Sequence, residues 1–184
     1  MAELTAEDVA AFTGGRLSGA AAQQVLDAAL VAARRYCGWH VSPVLSQTVT
    51  LDGPGGPVLS LPTLNLVSVT EIDDDGQVLA AGDLRVSRVG SVRKQSGASW
   101  SEDLGSIAAT FTHGYTEDES GDWRRAVLLT VDAMSKETAA TDRDDPTMAR
   151  KRVDDVEYQW FSAPISTDAR LSAAFAQFRI LLGP

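Results

Sequence analysis

Cys37 and His40 stand three residues apart, a thiol and an imidazole at a spacing that can begin a zinc site. Zinc requires further protein ligands, and the only other histidine is His113, with no second cysteine in the chain. Both residues are therefore read as structural, with Cys37 packing as a small apolar side chain. Asp73-Asp74-Asp75-Gly76 concentrates carboxylates as a calcium loop does, but it lacks the alternating ligand positions and the distal glutamate of an EF-hand. A solvated β-turn is the expectation there. Gly53, Gly55 and Gly56 are interrupted by Pro54 and Pro57, and no lysine or strand-to-helix context follows, so they are hairpin glycines rather than a phosphate loop. Nucleophile-elbow, zincin and paired-cysteine signatures are missing, and carboxylate pairs such as Asp144-Asp145 and Asp154-Asp155 are too common to count as acid-base machinery. The residues point to no catalytic centre, cofactor or metal. A small metal-dependent hydrolase stays only as a remote alternative.

Three groups remain as candidate contacts. Arg150-Lys151-Arg152 is the one basic cluster, suited to DNA, to an acidic patch on a partner, or simply to a solvated linker. Glu117, Asp118 and Glu119 precede a helix start and form either a solvated loop or part of a DNA-channel lining. Trp100 lies in a Ser/Gly-rich stretch, SGASWSED, and is either a core anchor or an exposed contact for another protein.

The elements that must carry these residues follow from pattern and composition. The chain has 184 residues, 44% of them hydrophobic, enough for one globular domain with an appended arm. It contains no apolar run long enough to span a membrane and no basic-then-apolar start of a secretory signal, so synthesis and folding in a cytoplasm are expected. A single cysteine fits a reducing compartment. The net charge of −9 argues against binding the backbone of duplex DNA, though an acidic wall can let DNA slide past without sticking.

Thr5 and Asp8 form a capping box for a short first helix that Gly14-Gly15 stops. Ser18 opens a second helix to about Tyr36, with Leu26, Leu30, Ala33 and Cys37 on its apolar stripe. The period then changes to strands: Gln47 to Leu51, a hairpin through Asp52 to Pro57 into Val58 to Leu61, and Leu64 to Ile72. Gln77 to Leu79, a hairpin around Gly90 and Ser106 to His113 follow. Asp122 starts a third helix carrying Trp123, Val127, Thr130, Val131 and Met134. Arg124 and Arg125 sit in its first turn, where the macrodipole opposes them, so they either meet an interaction partner or reach past the helix end into water. The expected class is α+β: a helical body over 1–140, with a small antiparallel β-unit inserted at about 46–113, and a C-terminal arm over 141–184.

That arm opens as a charged linker through Arg152. An extended segment with Val156, Tyr158 and Trp160 on one face follows, then Phe161, then a helix capped by Thr167 or Asp168 with Leu171, Phe175, Phe178 and Leu182 as its stripe. Each such side chain gains on the order of 1.5–3 kcal/mol on full burial, too much to leave in water. Two fates are open: folding back to complete its own core, or docking on a partner as strand and amphipathic helix.

The run Arg34-Arg35-Tyr36-Cys37-Gly38-Trp39-His40-Val41-Ser42-Pro43 closes the second helix. The strand from Thr48 to Leu51, the Asp-Gly turn, Leu61-Pro62-Thr63-Leu64 and Val67-Ser68-Val69-Thr70 follow. Thr112-His113-Gly114-Tyr115 then precedes the third helix. In this order they resemble the head-to-tail connector, or adaptor, proteins of long-tailed bacteriophages, especially those of actinobacteria. The resemblance covers roughly residues 4 to 135; the arm matches by position alone. It implies a ring of about twelve copies beneath the portal protein, closed by heterologous contacts. It also implies an axial DNA channel without sequence-specific binding, and a lower face for a stopper or tail-side neck protein. Finally, it implies a C-terminal segment that binds the portal, and a location in the virion neck. On this footing Arg150, Lys151, Arg152, Val156, Tyr158, Trp160, Phe161, Phe175, Phe178 and Leu182 become the expected portal or protomer interface. Trp100, Glu117, Asp118 and Glu119 become the channel or lower-face contacts. Another neck component, a stopper or tail-completion protein, is the alternative.

Overall fold

A computed structural model describes residues 4–140, 150–153, 156–159 and 164–180. The chain is α+β and divides into two units, one of Met1–Cys37 with Gly121–Arg179 and one of Gly38–Ser120 with Ile180–Pro184.

The first unit is helical. It contains α1 (Ala6–Phe12), α2 (Gly19–Cys37), α3 (Gly121–Ala140), α4 (Pro164–Thr167) and α5 (Ala169–Phe175), the last prolonged by a 3-10 turn over Ala176–Phe178. The capping box at α1 is present: Thr5 N–H donates to Asp8 Oδ2 at 2.8 Å and Asp8 N–H to Thr5 Oγ1 at 3.2 Å. Two left-handed glycines, Gly14 and Gly15, end the helix as their lack of a Cβ permits. Along α2 the buried residues are Ala22, Leu26, Ala29, Ala33 and Cys37; their small size lets α1 and α3 pack closely on it. The arginine that opposes the α3 dipole has a tertiary partner, since Arg124 lies 3.7 Å from Asp8 of α1. A second α1-side tie joins Arg16 to Asp132. The stretch expected as a linker to Arg152 is partly regular: α3 continues through Ala140, and Arg150–Val153 forms a strand, β8. It pairs with β9 (Val156–Gln159), Lys151 opposite Tyr158, in a two-stranded sheet.

The second unit holds two sheets. One has the order β1-β7-β3-β4, from Leu45–Leu51, Ile107–His113, Leu66–Asp74 and Gln77–Ala80, antiparallel throughout. The other has the order β2-β6-β5, from Leu59–Ser60, Ser91–Lys94 and Leu84–Val86. Alternation works as the two-residue period demands: Ile107, Ala109, Phe111 and His113 are buried, while their neighbours are not. The buried face meets Leu59, Leu61, Val92 and Trp100 in one core.

One expected hairpin is absent. β1 and β2 do not pair; β1 lies against β7 and β2 against β6. The Asp52-to-Pro57 segment instead lies against residues 100–103, with Gly53 N–H to Asp103 O at 2.9 Å, Gly55 N–H to Ser101 O at 2.8 Å and Trp100 N–H to Gly56 O at 2.9 Å. Glycine is required at 53 by this approach, because a Cβ there would sit 2.2 Å from the Ser101 carbonyl oxygen. Turn residues report that the chain bends, not which strand it then joins.

Candidate functional site

Among the described residues no group of three His, Cys, Asp or Glu side chains could hold a metal ion. Cys37 is buried, and burial pushes its thiol pKa up to about 12 against a smaller opposing effect of Arg179, so it is not a nucleophile at neutral pH. His40 Nε2 shares a hydrogen bond with Pro43 O at 2.7 Å. His113 is fully buried beside Phe111, with ring centroids 4.8 Å apart. Neither of its ring nitrogens has a hydrogen-bond partner among the described residues. Burial, then the nearby His40, lowers its pKa to about 4, so the ring is neutral at pH 7.

The acidic turn is half as expected. Asp75 and Gly76 take positive φ in a tight two-residue turn between β3 and β4, as an Asp-Gly pair favours. Asp74, however, is not solvated. It is buried and paired to Lys94 of β6 at 2.5 Å, both side chains less than a tenth exposed, and it accepts a hydrogen bond from Ser101 N–H at 3.2 Å. Burial raises its pKa, but the hydrogen bonds from Lys94 and Ser101 outweigh that, and the net shift is downward. The pair ties the two sheets together. Lys94 Nζ also lies 5.0 Å from the centre of the Trp100 ring.

Trp100 corrects the expectation of an exposed contact. It is 3% exposed and packs in the core between the sheets, drawn in by the pairing of residues 100–103 with the glycine segment. A Ser/Gly-rich neighbourhood suggested exposure because sequence reports the loop and not what lies opposite it. Glu117, Asp118 and Glu119 remain on the surface. Glu119 is committed locally: its carboxylate accepts from Thr116 N–H at 3.1 Å and Thr116 Oγ1 at 3.0 Å, and Arg88 lies 3.6 Å away.

The expected interface residues separate into three groups. Phe175 and Phe178 are 0% and 7% exposed, stacked edge-on against Trp123 at 5.3 and 5.7 Å, with Tyr36 6.3 Å from Phe175. They belong to the core of the helical unit, which corrects their assignment to a partner. The physical reason is the aromatic socket that α2 and α3 offer. Asp168 caps α5, accepting from Arg170 N–H at 2.7 Å and Leu171 N–H at 3.3 Å. Arg150, Lys151 and Arg152 lie on β8, and Val156 and Tyr158 on β9, a two-stranded sheet that pairs with no other strand among the described residues. Trp160, Phe161 and Leu182 lie outside the described residues. Sequence reasoning also missed β1 as a sheet edge, because strand order is not written in local periodicity.

No family model matches this chain, and no curated protein does. Among solved structures it is similar to a chain in the neck of a native GTA particle computed with C12 symmetry, at 18% identity and a TM-score of 0.59, covering 97% of this chain and 91% of that one. It is similar also to a chain in the neck of an empty GTA particle computed with C6 symmetry, at 17% identity and a TM-score of 0.56, covering 100% of this chain and 95% of the other. The architecture of this chain, helical unit and β-unit together, is thus a fold found in the necks of GTA particles.

Proposed function

We propose that the chain is a structural, non-enzymatic subunit of the neck that joins head to tail in a tailed phage or phage-like particle. Within the neck the reading is the adaptor: a ring of about twelve copies under the portal protein that continues the DNA channel and offers a platform to a stopper or tail-side protein. The observation that carries it is the reach of the structural likeness, 97% of this chain and 91% of the neck chain, so both the helical and the strand-rich parts of the chain are matched and not a shared insert alone. The C12 symmetry of that neck agrees with a dodecameric ring. A net charge of −9 suits a wall that DNA passes without sequence-specific binding. The subunit is made in the host cytoplasm and ends in the virion neck.

The test is the mass of the purified chain alone and after mixing with assembled portal from the same particle. A complex holding about a dozen copies per portal supports the adaptor. Folded chain that ignores the portal but binds a preassembled adaptor ring assigns it to the stopper or tail-completion position instead.

A further inference from the structure

The two sheets of the β-unit differ in charge. The three-stranded sheet carries Arg85 on β5 and Arg93 and Lys94 on β6. The strands β1, β7, β3 and β4 contain no lysine or arginine, and their carboxylates are Glu71, Asp73 and the buried Asp74. Pairing sets Thr48, Thr110 and Glu71 in one row across this sheet and Ser46, Thr112 and Ser68 in another, with the Thr48 and Thr110 hydroxyls 2.9 Å apart. The rows belong to the face turned away from the core side chains Ile107, Ala109 and Phe111. Ser46, Thr48, Ser68 and Glu71 are exposed there.

Such a face is poorly made to hold another protein. Interfaces are anchored by aromatic or arginine side chains set in packed pockets. Here the surface is hydroxyls, small side chains and carboxylates. The exposed valines of these strands, Val67 and Val78, stand toward opposite ends of β3, since Val78 pairs with Asp73, and the six-residue step between 67 and 73 separates them by about 20 Å. The face is equally unable to hold phosphate, which binds through Lys and Arg and the release of counterions. The helical unit differs: Arg35, Arg125, Arg170 and Arg179 are exposed on it, and a polyanion would catch on them. The β-unit, residues 38–120, has eleven Asp or Glu against four Lys or Arg, a balance of −7.

We propose that the outer face of the four-stranded sheet is the wall of the DNA channel. Its Thr and Ser hydroxyls hold a water layer, and Glu71 and Asp73 keep phosphate from settling on it. The inference rests on the ring reading above and names which surface of the subunit faces DNA within it.

Cys37 is the only cysteine and is buried, so a thiol placed on the surface is labelled alone. Thr48→Cys subunits carrying an azidophenacyl photo-cross-linker are assembled into DNA-filled particles, and their presence in the purified neck is verified by mass. Irradiation should attach packaged DNA at position 48, and the same label on Arg125→Cys subunits should attach at least ~tenfold less. Independently, Thr48→Lys/Ser68→Lys should slow triggered DNA release at least ~tenfold at about 50 mM salt, and about 200 mM salt should restore it, because each copy then offers phosphate two cations. Gln24→Lys/Ala28→Lys adds the same charge to exposed positions of α2 and should leave release unchanged. DNA attached at 125 and not at 48, or a label at 48 that attaches only to protein, overturns the proposal. So does normal release from particles whose neck holds the Thr48→Lys/Ser68→Lys subunit; where that variant does not assemble, the cross-link decides. A neck ring without a DNA link at 48 refutes the wall and leaves the ring reading standing. A wild-type chain absent from the purified neck refutes the ring reading and the wall with it.

Discussion

Helix α5 and the β8–β9 hairpin come from one stretch of sequence with a single apparent purpose, yet the chain treats them differently. α5 finds its aromatic socket inside the helical unit, where Phe175 and Phe178 close over Trp123. The β8–β9 pair finds no third strand among the described residues. Both segments are apolar enough to require cover, so apolar content alone says that burial must happen and not where. Geometry separates them: α2 and α3 present a groove of small and aromatic side chains at the right place for α5, and among the described residues no other strand pairs with β8 or β9.

The sharpest way to break this contrast is to remove a ring from α5. Phe175→Ala should cost the helical unit ~3–5 kcal/mol, read as a lower denaturation midpoint, because a large cavity opens beneath Trp123. A loss within the noise of a surface substitution would put α5 back with the hairpin as a partner-facing arm. Acid comes next, and it acts on the β-unit. His113 binds a proton in the unfolded chain near pH 6.5 and in the folded chain only near 4. Stability is therefore fully present above the unfolded value and falls as pH drops through that window, at about 1.4 kcal/mol per pH unit. The depressed Asp74 pKa adds a further loss at lower pH, as its pairing with Lys94 is protonated away. Denaturant midpoints measured from pH 7 to 4 should show the slope, and His113→Phe should remove the part above Asp74's range. The packing of α5 on Trp123, read by Trp and Phe near-ultraviolet signals, should hold through the same window.

A smaller effect is expected at the α5 cap. Asp168→Ala frees the N–H groups of Arg170 and Leu171 and should cost ~1 kcal/mol of helical-unit stability, with no change in the mass of assemblies.

Much of the local structure was legible in advance. The Thr5–Asp8 capping box, the Gly14-Gly15 stop, the α2 stripe, the Asp75-Gly76 turn and the alternation along β7 are short-range features, decided by backbone sterics and the helix and strand periods. The Asp-Gly-Pro-Gly-Gly-Pro segment was legible as a bend and misleading as a hairpin, since its glycines serve a close approach to Ser101. Asp74 was legible as a turn carboxylate, but its partner Lys94 lies twenty residues on, in another sheet, and no spacing rule links them. Trp100 failed for the same reason: its cover comes from strands distant in sequence.

By itself, then, the sequence determined most of the helices, strands and turns of residues 4–135, the α+β class and the acidic balance, because these depend on residue type and near-neighbour geometry, whereas β8 and α4 escaped it. Only the tertiary structure decided that β1 stands at the end of the four-stranded sheet, that the acidic turn hides a buried ion pair, and that the arm divides into a core helix and a separate strand pair. Those outcomes depend on which distant segments meet, and the free energy of long-range packing, not local propensity, selects among them.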